Sequence, residues 1–212
     1  MPRTAVPLEP AREMRLIDAA ATAFTDVGYE LASLNHIIAA AGLSKSSFYH
    51  YFPDKQRLHD HVVLTLRGRL SRGLQLPDLD GLDTASYWPA LTTVFSSMAG
   101  TLTADPQTRL LVRMFHNPLA ARGPGGQLTR LRAEVAAWVS QAVAAGQRLG
   151  VLRRDVPDSL LANLAVRILT VLTEWAPEHP GEFDHWPELA TQLLLDTPVS
   201  YTHLTLPTNR EV

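Results

Sequence analysis

Apolar residues recur at helical spacing along almost the whole chain, and this periodicity restricts the fold more than any other feature. Leu16, Ala20 and Phe24 share one face of the first segment, and leucine or valine stands at every fourth position from Leu58 to Leu74. Recurrence at i, i+3 and i+4 is typical of amphipathic helices, whereas half-buried strands alternate with a period of two. Because no segment shows that alternation, we predict an all-α protein.

Composition narrows the class of protein. The 212 residues, 46% of them hydrophobic, are enough for one large domain or two small ones. The lack of cysteine excludes a disulfide scaffold, a cysteine-bearing zinc finger and a thiol nucleophile. The start lacks the apolar core of a secretory signal, and no run reaches the roughly 18 to 20 apolar residues of a membrane span. We therefore expect a cytoplasmic protein with no membrane partner.

The formal charge of -2 is unevenly distributed. Residues 1–75 hold nine Lys and Arg against seven Asp and Glu, whereas residues 76–212 hold ten against fourteen. The first part is therefore basic by two charges and the second acidic by four. This asymmetry only weakly favours a polyanionic partner for the first part, so motifs have to decide the function.

Capping and turn residues divide the chain into helices. A first helix begins near Pro10 and ends near Gly28, and a second, from Leu34, is capped by Ser33. Ser44 caps a third helix, and a longer fourth helix begins at Asp54. Beyond a Pro- and Gly-containing linker at 77–83 we expect further helices at about 85–103, 106–117, 126–149, 157–176 and 184–196.

The second and third predicted helices are short and are joined by a tight turn, Gly42-Leu43-Ser44. This is the helix-turn-helix arrangement, in which the second helix enters the DNA major groove. Apolar residues on both helices can form a small core with Phe24 of the first helix: Leu34, Ile37, Ala41, Leu43 and Phe48. The third helix also carries side chains that bind phosphate oxygens and base edges: Lys45, Ser46, Ser47, Tyr49 and His50.

A longer set of residues around this motif occurs in a specific order: Gly28-Tyr29, Ser33-Leu34, Ile37, Ala41-Gly42-Leu43-Ser44-Lys45 and Phe48-Tyr49-His50-Tyr51-Phe52-Pro53-Asp54-Lys55. In order and spacing, over about residues 12–60, this set resembles the N-terminal signature of TetR-type (TetR/AcrR) transcriptional regulators. Two positions depart from the family pattern, namely Ile38 in place of a small alanine and Asn35-His36 in place of a charged pair.

The resemblance implies an all-α homodimer in which a three-helix DNA-binding domain precedes a helical ligand-binding and dimerisation domain. It implies phosphate contacts at Ser33, Tyr49, His50 and Lys55, and base reading at Lys45, Ser46 and Ser47. The domain boundaries that we expect are residues 1–53 for the DNA-binding domain, 54–76 for a connecting helix and 77–198 for the ligand-binding and dimerisation domain.

The sequence gives little indication of a metal site or a catalytic site. His59 and His61 lie two residues apart on a predicted helix, so they point to different faces and lack the i, i+4 spacing of a helical zinc site. The sequence contains no GxSxG, P-loop, GxGxxG or HExxH motif. We therefore expect no metal, no cofactor and no enzyme activity. The open alternative is a helical small-molecule-binding enzyme or carrier whose N-terminal unit is structural.

Large aromatic and sulfur-bearing residues are frequent in the second part of the chain, which favours an apolar pocket between helices. The candidate ligand residues, apolar and then polar, are Trp88, Phe95, Met98, Met114, Phe115 and Trp138, with Arg113, His116, Asn117 and Gln141. A packed core without a cavity is the alternative for each of the apolar residues. We expect the ligand to be a small apolar or aromatic molecule.

Two apolar stripes are candidates for the dimer interface: Leu128, Leu131, Val135 and Val139 on one helix, and Leu161, Ala165, Ile168 and Leu172 on the next. The same stripes could instead face the interior. The function expected from the whole sequence is a repressor that a ligand releases from double-stranded DNA at a palindromic operator. Residues 199–212 change abruptly to a threonine-rich composition, so we expect a non-native or disordered tail there.

Overall fold

A computed structural model describes residues 8–117 and 126–175, and within these ranges all regular secondary structure is α-helical. The eight helices are α1 (Pro10–Leu31), α2 (Leu34–Ala40), α3 (Lys45–Tyr51), α4 (Lys55–Leu70), α5 (Tyr87–Ala104), α6 (Pro106–His116), α7 (Gln127–Leu149) and α8 (Asp158–Trp175). The expected all-α class is confirmed. The helix expected at 184–196 and the tail at 199–212 lie outside the described residues. None of the described helices is long and apolar enough to cross a membrane.

Three side-chain caps position the helices of the N-terminal unit. The Ser33 hydroxyl accepts a hydrogen bond from the His36 backbone N–H, and the Ser44 hydroxyl accepts one from the Ser47 N–H. The Asp54 carboxylate accepts the Arg57 N–H at 2.7 Å and so begins α4. Each cap satisfies a backbone donor that the first turn of a helix leaves without a partner. The helix starts predicted at Leu34 and Lys45 are confirmed.

Glycine supplies the two backbone reversals in this unit. Gly42, between α2 and α3, has a φ of 68°, and Gly28 has a φ of 80°. Both lie in the left-handed region, which residues with a Cβ rarely adopt. The first helix was expected to end near Gly28; instead Gly28 has non-helical backbone angles within α1, which continues to Leu31.

The principal hydrophobic core is shared between the N-terminal unit and two later helices. It combines Phe24 of α1, Ile37 of α2, Phe48 of α3 and a stripe on α4, and it continues into Leu111 and Met114 of α6 and Leu128 of α7. The α4 stripe predicted from Leu58 is buried through Leu66, but the helix ends at Leu70, before Leu74. Ile38, which departs from the family pattern, is also buried in this core. The N-terminal unit is therefore packed directly onto α6.

Helices α7 and α8 pack against each other and against α5. The Tyr87 hydroxyl of α5 donates a hydrogen bond to the Ala142 carbonyl of α7 at 2.9 Å inside this second core. Five residues from the stripes considered for dimerisation are buried within the single chain: Leu128, Val139, Leu161, Ala165 and Leu172. Of the two alternatives left open by the sequence, these five positions follow the inward-facing one.

A single carboxylate joins α4 to the beginning of α7. Asp60 accepts a hydrogen bond from the Gln127 backbone N–H at 2.9 Å and another from the Gln56 side chain at 3.1 Å. A Cβ at Gly126 would collide with both the Asp60 and the Gln56 side chains. Gly126 therefore leaves the space in which an α4 side chain can cap α7.

We expect Gly126→Ala to lower the free energy of unfolding by about 1 kcal/mol, because it displaces the Asp60 cap. The matched control is Gly68→Ala on the exposed face of α4, where a Cβ meets nothing within 4 Å. This control should stabilise the protein by up to about 1 kcal/mol through helix propensity. Urea unfolding of both variants measures the difference, and equal stabilisation by the two substitutions would contradict the proposed junction.

Candidate DNA-binding surface and ligand pockets

Helix α3 divides its side chains between the core and solvent. Phe48 is fully buried and stacks against Phe52, with ring centroids 5.5 Å apart. Four of the five candidate DNA-binding residues on this helix are exposed: Lys45, Ser46, Tyr49 and His50. Ser47 is half-buried. The structure thus places a cation, hydroxyl groups and two polar rings on one short helix whose opposite face is fixed by packing, which suits contact with a DNA groove.

Ser33 and Lys55, which the resemblance assigns to phosphate contacts, also have structural roles. The Ser33 hydroxyl caps α2, whereas the Lys55 ammonium donates to the carbonyls of Tyr29, Glu30 and Ala32, at 2.8, 3.1 and 3.2 Å. The same ammonium lies 4.6 Å from the centroid of the Tyr29 ring. Because an ammonium has three protons, these carbonyls use all of its donors. Lys55 is accordingly a C-terminal cap of α1, and its phosphate contact remains a prediction.

The two histidines of α4 have separate surroundings, as their spacing predicts. His59 is buried between the rings of Phe24 and Tyr29, with centroids 4.8 and 5.3 Å away. Burial is the main reason that the pKa of His59 falls to about 4, so its ring is neutral near pH 7. His61 instead pairs with Glu13 of α1 at 2.8 Å. Within the described ranges, no three potential ligands are grouped closely enough to hold a metal ion.

The candidate ligand residues do not line one common cavity. Met98, Phe115 and His116 line a cavity of about 140 Å³, which we call the α6 pocket. Its other lining residues are Leu70, Leu111, Val112, Leu131, Val135, Val166, Leu169 and Thr173. Trp88, Phe95 and Trp138 instead line a smaller cavity of about 40 Å³ between α5, α7 and α8. Gln141 lines a groove beside the 77–83 linker, with Trp138 at its edge.

Three further candidates attach α6 to its neighbours. Met114 is fully buried in the principal core. The Arg113 guanidinium is exposed and lies 3.5 Å from the Asp26 carboxylate of α1. The Asn117 amide donates to the Thr25 carbonyl of α1 at 2.6 Å. The structure therefore places Met114, Arg113 and Asn117 away from both cavities, where they hold α6 against α1.

Sequence reasoning missed Arg132, Thr170 and Thr173 as groups near the α6 pocket. Arg132 of α7 donates to the carbonyls of Met114 and Phe115 at the end of α6, with distances from 2.6 to 3.0 Å. Thr170 contacts His116, and Thr173 lines the pocket. Position 173 lies seven residues beyond Val166, another lining residue, so helical spacing was the signal that could have found it.

Burial, reinforced by the charges of Arg132 and Arg167, lowers the pKa of His116 to about 4. The imidazole is therefore neutral near pH 7, and the two nearby cations contribute to this because they disfavour its protonation. Among the described residues, this ring and Thr173 are the polar side chains in the lining of the α6 pocket. The pocket is thus apolar, with few groups that could orient a ligand.

Residues 16–62 match the family described as bacterial regulatory proteins, tetR family. Over this N-terminal segment the chain is similar to the TetR family. It is 25% identical over 163 residues to the uncharacterized HTH-type transcriptional regulator YdgC of Bacillus subtilis (strain 168), which covers 76% of this chain and 78% of that protein. The matched family and this relative are both described as regulatory proteins.

Solved structures share the fold. A putative tetR family transcription regulator from Shewanella sp. PV-4 superposes with a TM-score of 0.63 at 15% identity and covers 88% of this chain and 97% of that one. AibR in complex with isovaleryl coenzyme A and operator DNA gives a TM-score of 0.61 at 16% identity, with coverage of 88% and 97%. At these identities the likeness shows the fold.

Tyr49→Ala should weaken operator binding by about 1 to 3 kcal/mol, because a hydrogen-bonding side chain on the exposed face of α3 is lost. Tyr49 is 53% exposed, so the melting temperature should be unchanged. Lys55→Ala is the contrasting variant: it removes the α1 cap and should lower the melting temperature. Mobility-shift titration and thermal unfolding measure the two effects. Wild-type operator affinity in Tyr49→Ala would remove the case for this surface.

Proposed function

We propose that this protein is a homodimeric repressor of the TetR family, which binds a palindromic operator and is released by a small apolar or aromatic molecule. The observation that carries this proposal is the α6 helix, which contacts both α1 and the lining of an apolar pocket. A repressor of this kind needs DNA contacts, a second copy of itself, a ligand site and a connection between them. Each requirement has support in the described residues.

An exposed apolar face on α8 is available to bind a second copy of the chain. Leu160, Leu164 and Val171 are 51%, 37% and 62% exposed, and their spacing of four and seven residues places them along one side of the helix. These residues replace the inward-facing stripe positions as our candidates for the dimer interface. Two copies joined there would present two α3 helices, and recognition helices about 34 to 36 Å apart read half-sites one DNA turn apart.

The connection runs through α6. On one side Met114 and Asn117 fix it to α1, and on the other Phe115 and His116 line the α6 pocket. Leu70, the last residue of α4, lines the same pocket. A ligand that prefers a shifted α6 would therefore favour a different position of α1 and α4, and operator affinity would fall by the same free-energy difference.

Support for the effector comes from the pocket and from one fold relative. The α6 pocket is lined almost entirely by aliphatic and aromatic side chains. The AibR structure has the same fold and contains isovaleryl coenzyme A and operator DNA. The acyl group of isovaleryl coenzyme A is short and branched. We propose that the effector of this chain likewise inserts an apolar group into the α6 pocket.

The dimer is tested by Val171→Glu, which places a charge on the exposed α8 face and should yield a folded monomer with lost or greatly weakened operator binding. The matched control is Leu76→Glu, at a residue 52% exposed outside the helices, which should remain dimeric. Analytical ultracentrifugation gives the mass of each variant. A dimeric Val171→Glu protein with wild-type operator affinity would exclude this face as the interface.

The repressor role is tested by selecting DNA that the purified wild-type protein binds. The selected sequences should contain an inverted repeat, and a reporter under that operator should be expressed more strongly in cells that lack the protein. Affinity should fall steeply with salt, by about 0.9 in log K per log salt for each phosphate neutralised. Selection of no common sequence, or lower reporter expression in the absence of the protein, would contradict the proposal.

A further inference from the structure

Arg132 of α7 is a half-buried cation whose hydrogen bonds go to neutral groups. Its Nε and Nη2 donate to the carbonyls of Met114, Phe115 and Asn117 at the end of α6, over distances of 2.6 to 3.3 Å. A guanidinium has five N–H donors, and the two on Nη1 have no partner among the described residues. The end of a helix carries only about half an elementary negative charge, so part of the Arg132 charge is not offset by α6.

The described part of the chain offers Arg132 no carboxylate partner, whereas Arg67 and Arg113 each pair with one. Burial lowers the pKa of the Arg132 guanidinium, because removal from water disfavours the charged form. A partly desolvated cation without a counter-ion is unfavourable, and a negative group placed beside it would offset that cost. The surroundings of Arg132 therefore favour a bound anion.

A second guanidinium lies at the same end of α6. Arg167 of α8 is exposed and forms no ion pair within residues 8–117 and 126–175. It precedes Thr170 by about one helical turn, and the Thr170 hydroxyl lies 2.9 Å from His116 Nδ1. The charges of both arginines act on the His116 ring and disfavour a further positive charge there. The side of α6 that faces α7 and α8 thus has two cations that no described carboxylate neutralises.

These two cations adjoin the α6 pocket. The residues that precede them in sequence, Leu131 and Val166, both line it. Phe115 belongs to both environments, because its side chain lines the pocket and its ring centroid lies 5.8 Å from the guanidinium carbon of Arg132. The pocket is half open to solvent, so an apolar group can occupy it while an attached polar group remains outside. A ligand with an apolar part and an anionic part matches this arrangement.

We propose that Arg132 and Arg167 bind the anionic group of an amphipathic ligand, a carboxylate or a phosphate, while the apolar part of the ligand occupies the α6 pocket. Arg132 supplies charge-assisted hydrogen bonds from Nη1, and Arg167 adds a second positive charge. This inference rests on the proposed function, because it names the chemical class of the effector.

An anion bound to Arg132 would also act on α6. It competes with the carbonyls at the end of α6 for the same guanidinium, and an ionised oxygen is a stronger acceptor than a neutral carbonyl. The Asn117 side chain binds the Thr25 carbonyl of α1, so loosening the end of α6 weakens a contact with the N-terminal unit. Ligand binding would thereby lower operator affinity.

The test compares octanoate with octan-1-ol, which has the same chain length and no charge. Calorimetric dissociation constants are measured on the wild-type protein and on Arg132→Met, which removes the charge and retains an unbranched side chain. The ratio of the octanol constant to the octanoate constant should fall about tenfold in Arg132→Met, because a charge-assisted hydrogen bond is lost. Octyl phosphate replaces octanoate in a second series, and the anion whose ratio falls further identifies the bound group.

Arg109→Met is the matched control. Arg109 also donates to carbonyls at the end of a helix, those of Leu102 and Thr103 in α5, and it lies far from the last turn of α6 in sequence. This variant should keep the wild-type ratio, and Arg132→Lys, which retains the charge, should keep most of it. Arg167→Met removes an exposed side chain, so it should fold normally and lower the ratio about threefold.

Wild-type ratios in both Arg132→Met and Arg167→Met would overturn the inference. An equal fall in Arg109→Met would do the same, as would a wild-type protein that binds its operator but neither anion. If octanoate binds through Arg132 but leaves operator affinity unchanged, the anion site stands and the effector role under the proposed function fails.

Discussion

Everything else in this structure depends on one continuous apolar core that joins α1–α4 to α6 and α7. Phe24, Ile37 and Phe48 fill the helix-turn-helix unit, and Leu111, Met114 and Leu128 extend the same core without a break. A side chain of α6 cannot move far while these contacts persist, because interiors at this density have no space for independent displacement. The recognition helix is thus held by the same packing that shapes one wall of the ligand pocket.

Polar contacts between α1, α4, α6 and α7 supplement this packing. Asp60 of α4 caps α7, Asn117 of α6 binds the Thr25 carbonyl of α1, and Arg67 pairs with Glu134 at 2.6 Å. The Arg67 pair is partly exposed and contributes little on its own. Asp60 and Asn117 bind backbone groups, so a displacement of α6 or α7 would leave those groups without their partners. A displacement of α6 or α7 would therefore cost the free energy of these hydrogen bonds.

The sequence predicts the helix-turn-helix unit closely because its signals are local. Ser33 and Ser44 are caps whose hydrogen bonds span three residues, and Gly42 lies in the left-handed conformation that its turn requires. The lining of the candidate pockets is harder to predict, because it depends on how helices pack. Arg113, Met114 and Asn117 are neighbours of His116 in sequence, yet they face α1. Residue type alone cannot separate the two faces of α6, and His116 contacts Thr170, which is 54 residues away.

The central claim is that the N-terminal unit and helices α6 and α7 form one cooperative structure. Hydrogen exchange measured across a urea series tests it most directly, because the denaturant dependence identifies amides that open together. We expect core amides of α1, α4, α6 and α7 to share one opening free energy and one denaturant slope. If α1 and α4 instead open in a separate step while α6 and α7 remain protected, the shared core does not couple the two parts, and the account is contradicted.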